Sequence, residues 1–206
     1  MAQITSGIKS ILSKPLIYNV LQNVLISKAS RSDFIAKYFK PETEQRWLDI
    51  GCGTAELLEL LPEGIHYLGF DGSKEYIDYA SDKYKERDAE FFMEILTDRT
   101  LLELGKFDRV VATGLLHHID DAEVINLFNI IKPVLDVGGR FITIDPCYVP
   151  NQSLISKALV KRDRGQNVRG MDEYYNLAVN IFDDVELIHR NDMLRLPYDH
   201  TILICK

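Results

Sequence analysis

The sequence has few cysteines. Cys52, Cys147 and Cys205 lie far apart, with no CxxC pair and no histidine at zinc-ligand spacing. That excludes a disulfide framework and a zinc module, and it fits reduced thiols in a cytoplasmic protein with no bound metal. Long hydrophobic runs are missing as well. The most apolar stretch, Leu16 to Ile26, is broken by Asn19, Gln22 and Asn23 and lacks a small-residue cleavage site. Neither a signal peptide nor a membrane span is expected from it. No internal repeat, low-complexity tract or Pro-, Gly- or Ser-rich linker divides the chain. A positive balance is absent too, since the formal net charge is −7, and no nucleic-acid partner is expected.

What is present is globular: 206 residues, 46% hydrophobic and 27% charged, enough for one domain with a full core as a monomer or homodimer. The charge is unevenly placed. Residues 1–41 carry +5, from Lys9, Lys14, Lys28, Arg31, Lys37 and Lys40 against Asp33. Residues 155–170 carry +4, from Lys157, Lys161, Arg162, Arg164 and Arg169 against Asp163, which leaves −16 on the rest.

The segment before Pro41 reads as helices, with apolar stripes at Ile8, Ile11 and Leu12, then from Leu16 to Leu25. A further helix from about Ser32, capped by Ser32 or Asp33, runs to Phe39. From Arg46 strands and helices alternate, the pattern of a parallel sheet covered on both faces. Strands are predicted at Arg46 to Ile50, Ile65 to Phe70, Glu90 to Glu94, Phe107 to Ala112 and Arg140 to Ile144. Helices are predicted at Ala55 to Leu61, Lys74 to Lys85, near Leu101, and at Ala122 to Leu135, the last ended by Gly138-Gly139. An irregular stretch follows Pro146, and an antiparallel pair, Asp184 to His189 and His200 to Cys205, closes the chain. The fold class is α/β, a doubly wound sheet of about seven strands, mostly parallel. Residues 1–44 are expected to form an N-terminal helical lid, 45–146 a cofactor-binding core, 147–183 an acceptor-side insert and 184–206 a terminal hairpin.

The stretch LDIGCGTAELLELL, Leu48 to Leu61, reads as strand, glycine turn and helix, a place where a ligand can approach backbone N–H groups. A dinucleotide fingerprint would want Gly or Ala at position 56. Glu56 puts bulk and like charge where a pyrophosphate would sit. Asp71, which ends HYLGFD one strand after Gly51, is placed to accept both hydroxyls of a ribose; its bland reading is a helix N-cap beside Gly72 and Ser73.

LDIGCGTAELL, GFDGS, FDRVVATGLLHHIDD and KPVLDVGGRFITIDP, in this order, resemble the successive motifs of class I S-adenosylmethionine-dependent methyltransferases. The resemblance is nearest to the small-molecule branch that includes ubiquinone-biosynthesis-type enzymes, and it is strong over residues 45–146. It implies a Rossmann-like fold and S-adenosylmethionine as cofactor. It also implies that Asp49, Gly51 and Gly53 hold the methionine moiety and Asp71 the ribose, with Cys52 and Gly72 also in the cofactor site, that Glu94, Ile95 and Leu96 flank the adenine, and that Thr113 lies by the sulfonium. Two positions depart from the family pattern. Ala55 replaces the third glycine of GxGxG, which a negative φ would tolerate, and Glu94 or Asp98 stands in for the usual acid after the third strand.

With an activated leaving group on the cofactor, the protein's task is alignment, plus a base where the acceptor is oxygen or carbon. The resemblance favours His118 over His117 as that base, with a buried structural histidine as the alternative; Asp145 is the other candidate, against a turn cap before Pro146. The two positive segments suit a small anionic acceptor, gripped by Arg164 and Arg169, with Tyr18 closing over the cofactor. Competing readings are an RNA or protein methyltransferase, a non-catalytic cofactor-binding or partner-activating subunit, and a nicotinamide-dependent oxidoreductase.

Overall fold

Apolar residues that alternate in a buried strand must feed two layers, and the central strands do this. Trp47, Val111, Ile142 and Ile202 pack on one face of the sheet, while their neighbours Leu48, Val110, Phe141 and Leu203 pack on the other. The computed structural model describes residues 28–94, 96, 98–163 and 165–206. The predicted helices before residue 28 lie outside the described residues.

Among the described residues eight strands form the sheet: β1 (Arg46–Ile50), β2 (His66–Phe70), β3 (Ala89–Phe92), β4 (Phe107–Thr113), β5 (Leu135–Tyr148), β6 (Arg169–Gly170), β7 (Val185–Arg190) and β8 (His200–Cys205). Their order is β3-β2-β1-β4-β5-β8-β7, with the two-residue β6 on the end of β5. Strands β1 to β5 run parallel, and β8 is antiparallel to both β5 and β7. The fold is the doubly wound, Rossmann-like sheet expected, with its topological switch between β1 and β4. Ligands bind such sheets outside the carboxyl ends of the strands at that switch. The loops after β1 and β4 therefore frame the site.

The helices among the described residues are α1 (Lys28–Tyr38), α2 (Lys74–Lys83), α3 (Asp98–Leu104), α4 (Asp121–Ile131), α5 (Leu154–Lys161) and α6 (Met171–Val179). Helix α1 begins before Ser32 and Asp33, so neither caps it; both stand exposed within it. Its C-terminal end is held by Arg109 of β4, whose Nε donates to the Phe39 carbonyl at 2.8 Å. Helix α4 starts at a capping box of Asp120 and Glu123 and stops at Ile131, because Pro133 carries the chain into a 3₁₀ turn, Lys132–Val134. The Gly138-Gly139 pair thus does not end the helix. It lies inside β5, where the register slips between Phe107 and Arg109 of β4. The segment after Pro146 is more regular than its sequence suggests, since it forms α5, β6 and α6.

Candidate active site

The turn after β1 is pinned from one side. The N–H groups of Gly51 and Cys52 both donate to the carbonyl of Phe70, at 2.8 and 3.0 Å, and Gly53 N–H donates to Asp71 Oδ2 at 3.0 Å. Gly51 and Gly53 have φ of 75° and 55°, and a Cβ on Gly53 would meet nothing within 4 Å. At Gly53 the turn thus presents bare backbone to open space, which is what a ligand's close approach requires.

Ala55 overturns the expectation of a negative φ. It is left-handed, at φ 55° and ψ 35°, with no exposed surface, and it opens a 3₁₀ helix, Glu56–Leu60, in place of the predicted α-helix. The third glycine of the pattern is therefore replaced where glycine would be least strained. Ala55→Gly relieves about 1–2 kcal/mol of left-handed strain. It also removes a buried methyl, about 0.8 kcal/mol, and loosens the unfolded chain by about 0.4–1 kcal/mol. A net change below about 1 kcal/mol is expected by urea unfolding, against a loss above about 2 kcal/mol for the β-branched Ala55→Val. Equal losses for the two variants would mean that the packed methyl, not the backbone, governs this position.

Asp49 lies at the carboxyl end of β1, almost fully buried. Its Oδ2 accepts from the Tyr67 hydroxyl at 2.5 Å, and its Oδ1 has no partner among the described residues. Burial lifts its pKa to about 7, against the Tyr67 hydrogen bond and with help from the charge of Asp71. Two carboxylates at one turn make a site for a cation and repel a pyrophosphate.

Asp71 is not the N-cap of α2. Ser73 has that role, accepting from Tyr76 N–H, and Asp71 Oδ1 accepts from Ser73 N–H at 2.8 Å. Its carboxylate thus bridges the glycine turn and the start of α2, with Gly72 exposed beside it. Past β3, Glu94 is exposed and Leu96 packs against the core. Ile95 lies outside the described residues, as do Tyr18 and Arg164. Thr113 ends β4, opposite Ile144 of β5.

The loop after β4 forms a short 3₁₀ turn, Leu116–His118, in which both histidines are buried with ring centroids 4.1 Å apart. His117, the less favoured of the two in the sequence, makes the stronger contacts. Its Nδ1 lies 2.8 Å from Asp145 Oδ1 and its Nε2 3.1 Å from Asp163 Oδ1. Burial alone would lower its pKa, but the two carboxylates outweigh burial and push it up to about 9. His117 is a clamped imidazolium at neutral pH. Asp163 also accepts from the Tyr198 hydroxyl at 2.7 Å and from Gly165 N–H at 2.9 Å, and a Cβ on Gly165 would collide with the His117 ring.

Asp145 is therefore not a turn cap. Strand β5 runs through it and through Pro146, and its carboxylate is fully buried against the His117 ring and backbone N–H. Arg169 is not an acceptor grip either. Its Nε pairs with Asp121 Oδ1 at 2.7 Å, while its terminal nitrogens donate to the carbonyls of Leu116, Asn167 and Ile119 at 2.8 to 3.0 Å. It holds the 3₁₀ turn from the insert side. A recess of about 340 Å³ lies in the insert, lined by Tyr148, Val160, Lys161, Asp163 and Gln166 among others. No cluster of metal-ligating side chains occurs among the described residues.

Residues 48–139 match the family model described as a methyltransferase domain. No curated protein matches the chain significantly. Among solved structures, an S-adenosylmethionine-dependent methyltransferase of Archaeoglobus fulgidus is 17% identical, with a TM-score of 0.67 over 92% of this chain and 99% of that one. A geranyl diphosphate C-methyltransferase of Streptomyces coelicolor, solved with geranyl diphosphate and S-adenosylhomocysteine, is 13% identical, with a TM-score of 0.63 over 87% of this chain and 80% of that one. A chain from Bordetella parapertussis described as a possible exported protein is 16% identical, with a TM-score of 0.63 over 84% of this chain; the match spans 64% of that chain's length. These likenesses establish the fold. No helix among the described residues is long and apolar enough to cross a membrane.

Proposed function

We propose, from the premise that residues 48–139 form a methyltransferase domain whose cofactor is S-adenosylmethionine, that the chain methylates a small, anionic molecule held between the carboxyl edge of its sheet and its insert. The observation that supports this most directly is the pinned glycine turn with an orphaned carboxylate oxygen, Asp49 Oδ1, at its base. In this reading Asp49 faces the cofactor's ammonium, and Gly51, Cys52 and Gly53 line its methionine moiety. Asp71, with Gly72, takes the ribose hydroxyls, Glu94 and Leu96 flank the adenine, and Thr113 lies toward the sulfonium.

When bound, S-adenosylmethionine supplies an activated methyl group, so the chain's own residues align and enclose. Lys161 gives the insert recess a cation, while the carboxylate of Asp163 in the same wall is neutralised by His117. His118, not Asp145, is the base for an acceptor that must lose a proton, because the Asp145 carboxylate is tied to His117.

Calorimetry with S-adenosylhomocysteine and with NADH tests the cofactor assignment. The homocysteine compound is expected to bind and NADH not to; NADH binding alone would overturn the reading. Ionised Asp49 is the form that pairs with an ammonium, and in the free protein it exists above a pKa of about 7. Affinity for S-adenosylhomocysteine is therefore expected to rise about five- to ten-fold from pH 6 to pH 7.5, and to stay flat in Asp49→Asn.

A further inference from the structure

Single exposed apolar side chains are ordinary, and among the described residues Met93, Leu102, Ile125, Val137, Val179 and Leu196 each stand alone in sequence. Leu154 and Ile155 are different. They are adjacent on the first turn of α5, 85% and 61% exposed. Their helix is firmly seated: the buried Ser156 donates to Asp199 Oδ2 at 2.5 Å, and Asp199 Oδ1 lies 2.7 Å from His189 Nε2. The outward face is set by that packing. Besides Leu154 and Ile155 it carries Lys157, Ala158 and Lys161, with Arg162 at the C-cap, all exposed and with no acid among them. An uncompensated positive face on a chain of net charge −7 calls for an anionic partner.

We propose that this face of α5 docks the protein on an anionic membrane surface, with Leu154 and Ile155 entering the boundary between headgroups and acyl chains and Lys157 and Arg162 meeting lipid phosphates. The combination of a short apolar wedge and flanking cations is the two-signal requirement for reversible interfacial binding. A second copy of the chain is a poorer occupant, because a symmetric contact would set the cations of one α5 against those of the other. The segment 1–27 is poorer too, since it holds Lys9 and Lys14 and no acid. Docking goes beyond the methyl-transfer reading and needs neither cofactor nor acceptor, so the two can fail separately.

The test is co-sedimentation of the full chain with two kinds of vesicle, phosphatidylcholine alone and phosphatidylcholine mixed with phosphatidylglycerol. Binding is expected only to the anionic vesicles and is expected to be largely lost in high salt. Each cation near such a surface contributes about five-fold in partitioning. K157Q/R162Q is thus expected to weaken binding more than ten-fold, and L154S/I155S at least as much. Melting temperature and S-adenosylhomocysteine affinity should stay unchanged in both variants, which separates lost docking from lost folding. No binding to anionic vesicles, or wild-type binding by both double variants, overturns the proposal. So does a dimer in lipid-free solution that L154S/I155S dissociates, which would assign the face to a second copy.

Discussion

Replacing His117 with leucine is expected to cost the fold about 3–5 kcal/mol in urea unfolding at pH 6.5. Asp145 has no exposed surface, and its Oδ1 accepts both the His117 side chain and backbone N–H. Without the imidazolium its charge would be buried with little compensation, and an uncompensated buried charge is among the few point changes that reach this size. The double variant H117L/D145L, which removes the charge with its partner, is expected to recover much of the loss. pH separates this mechanism from simple packing. A histidine whose folded pKa is raised from about 6.5 to about 9 stabilises the fold fully below pH 6.5 and loses that contribution as pH rises through 9. The wild type should therefore lose about 3 kcal/mol between pH 6.5 and 9, and H117L should show almost none of that slope. A cost below about 1 kcal/mol, or the same slope in both proteins, would refute the clamp.

The clamp matters because it ties three separate parts of the chain at the carboxyl edge of the sheet. Asp145 is in β5, His117 follows β4, and Asp163 follows α5 in the insert. The insert also holds this turn through backbone and guanidinium, since Asn167 N–H donates to the His117 carbonyl and Arg169 donates to those of Leu116 and Ile119. The wall between the insert and the loop after β4 is thus fixed by buried charge, and its Arg169 is committed inside the protein.

That commitment marks where the sequence stopped being legible. The parallel core followed from short apolar runs separated by helical periods, a local signal that survives folding. The glycine turn and the place of Asp71 beside it were legible because both depend on position within a strand-turn-helix unit. Ala55 was misread because its conformation is imposed by the turn and not by its own preference. Arg169 was misread for another reason. An arginine in a positive segment suggests a ligand, but here the acceptors are carbonyls far upstream, at Leu116 and Ile119. His117 and Asp145 were each visible as titratable groups, but their partnership joins the loop after β4 to strand β5 and depends on β4 and β5 being neighbours. The HH pair beside an acid-ended strand was the one available hint. The exposure of Leu154 and Ile155 had no signature at all, because helix α5 reads as ordinary amphipathic packing until its buried face is known.

Asp71→Ala is expected to weaken S-adenosylhomocysteine binding about 100-fold, while costing the fold only about 1–2 kcal/mol. The carboxylate spans two backbone donors, Gly53 N–H at 3.0 Å and Ser73 N–H at 2.8 Å, and is only partly buried. Water can replace it at both donors once the side chain is gone, so the stability cost is modest. Binding suffers twice. Charge-assisted hydrogen bonding to the ribose hydroxyls is lost, at about 1.5–3 kcal/mol in all, and the turn loses the bond from Gly53 N–H to Asp71 that fixes its bare edge. The loss of a negative charge beside Asp49 acts the other way on that group, lowering its pKa and leaving more of it ionised at pH 7. The pH dependence of cofactor binding should therefore shift to lower pH in Asp71→Ala as affinity falls. Asp71→Asn keeps one acceptor oxygen and is expected to lose about ten-fold. If Asp71→Ala binds S-adenosylhomocysteine within three-fold of wild type, the ribose does not sit on this carboxylate. The role of Asp71 would then be confined to joining the glycine turn to helix α2.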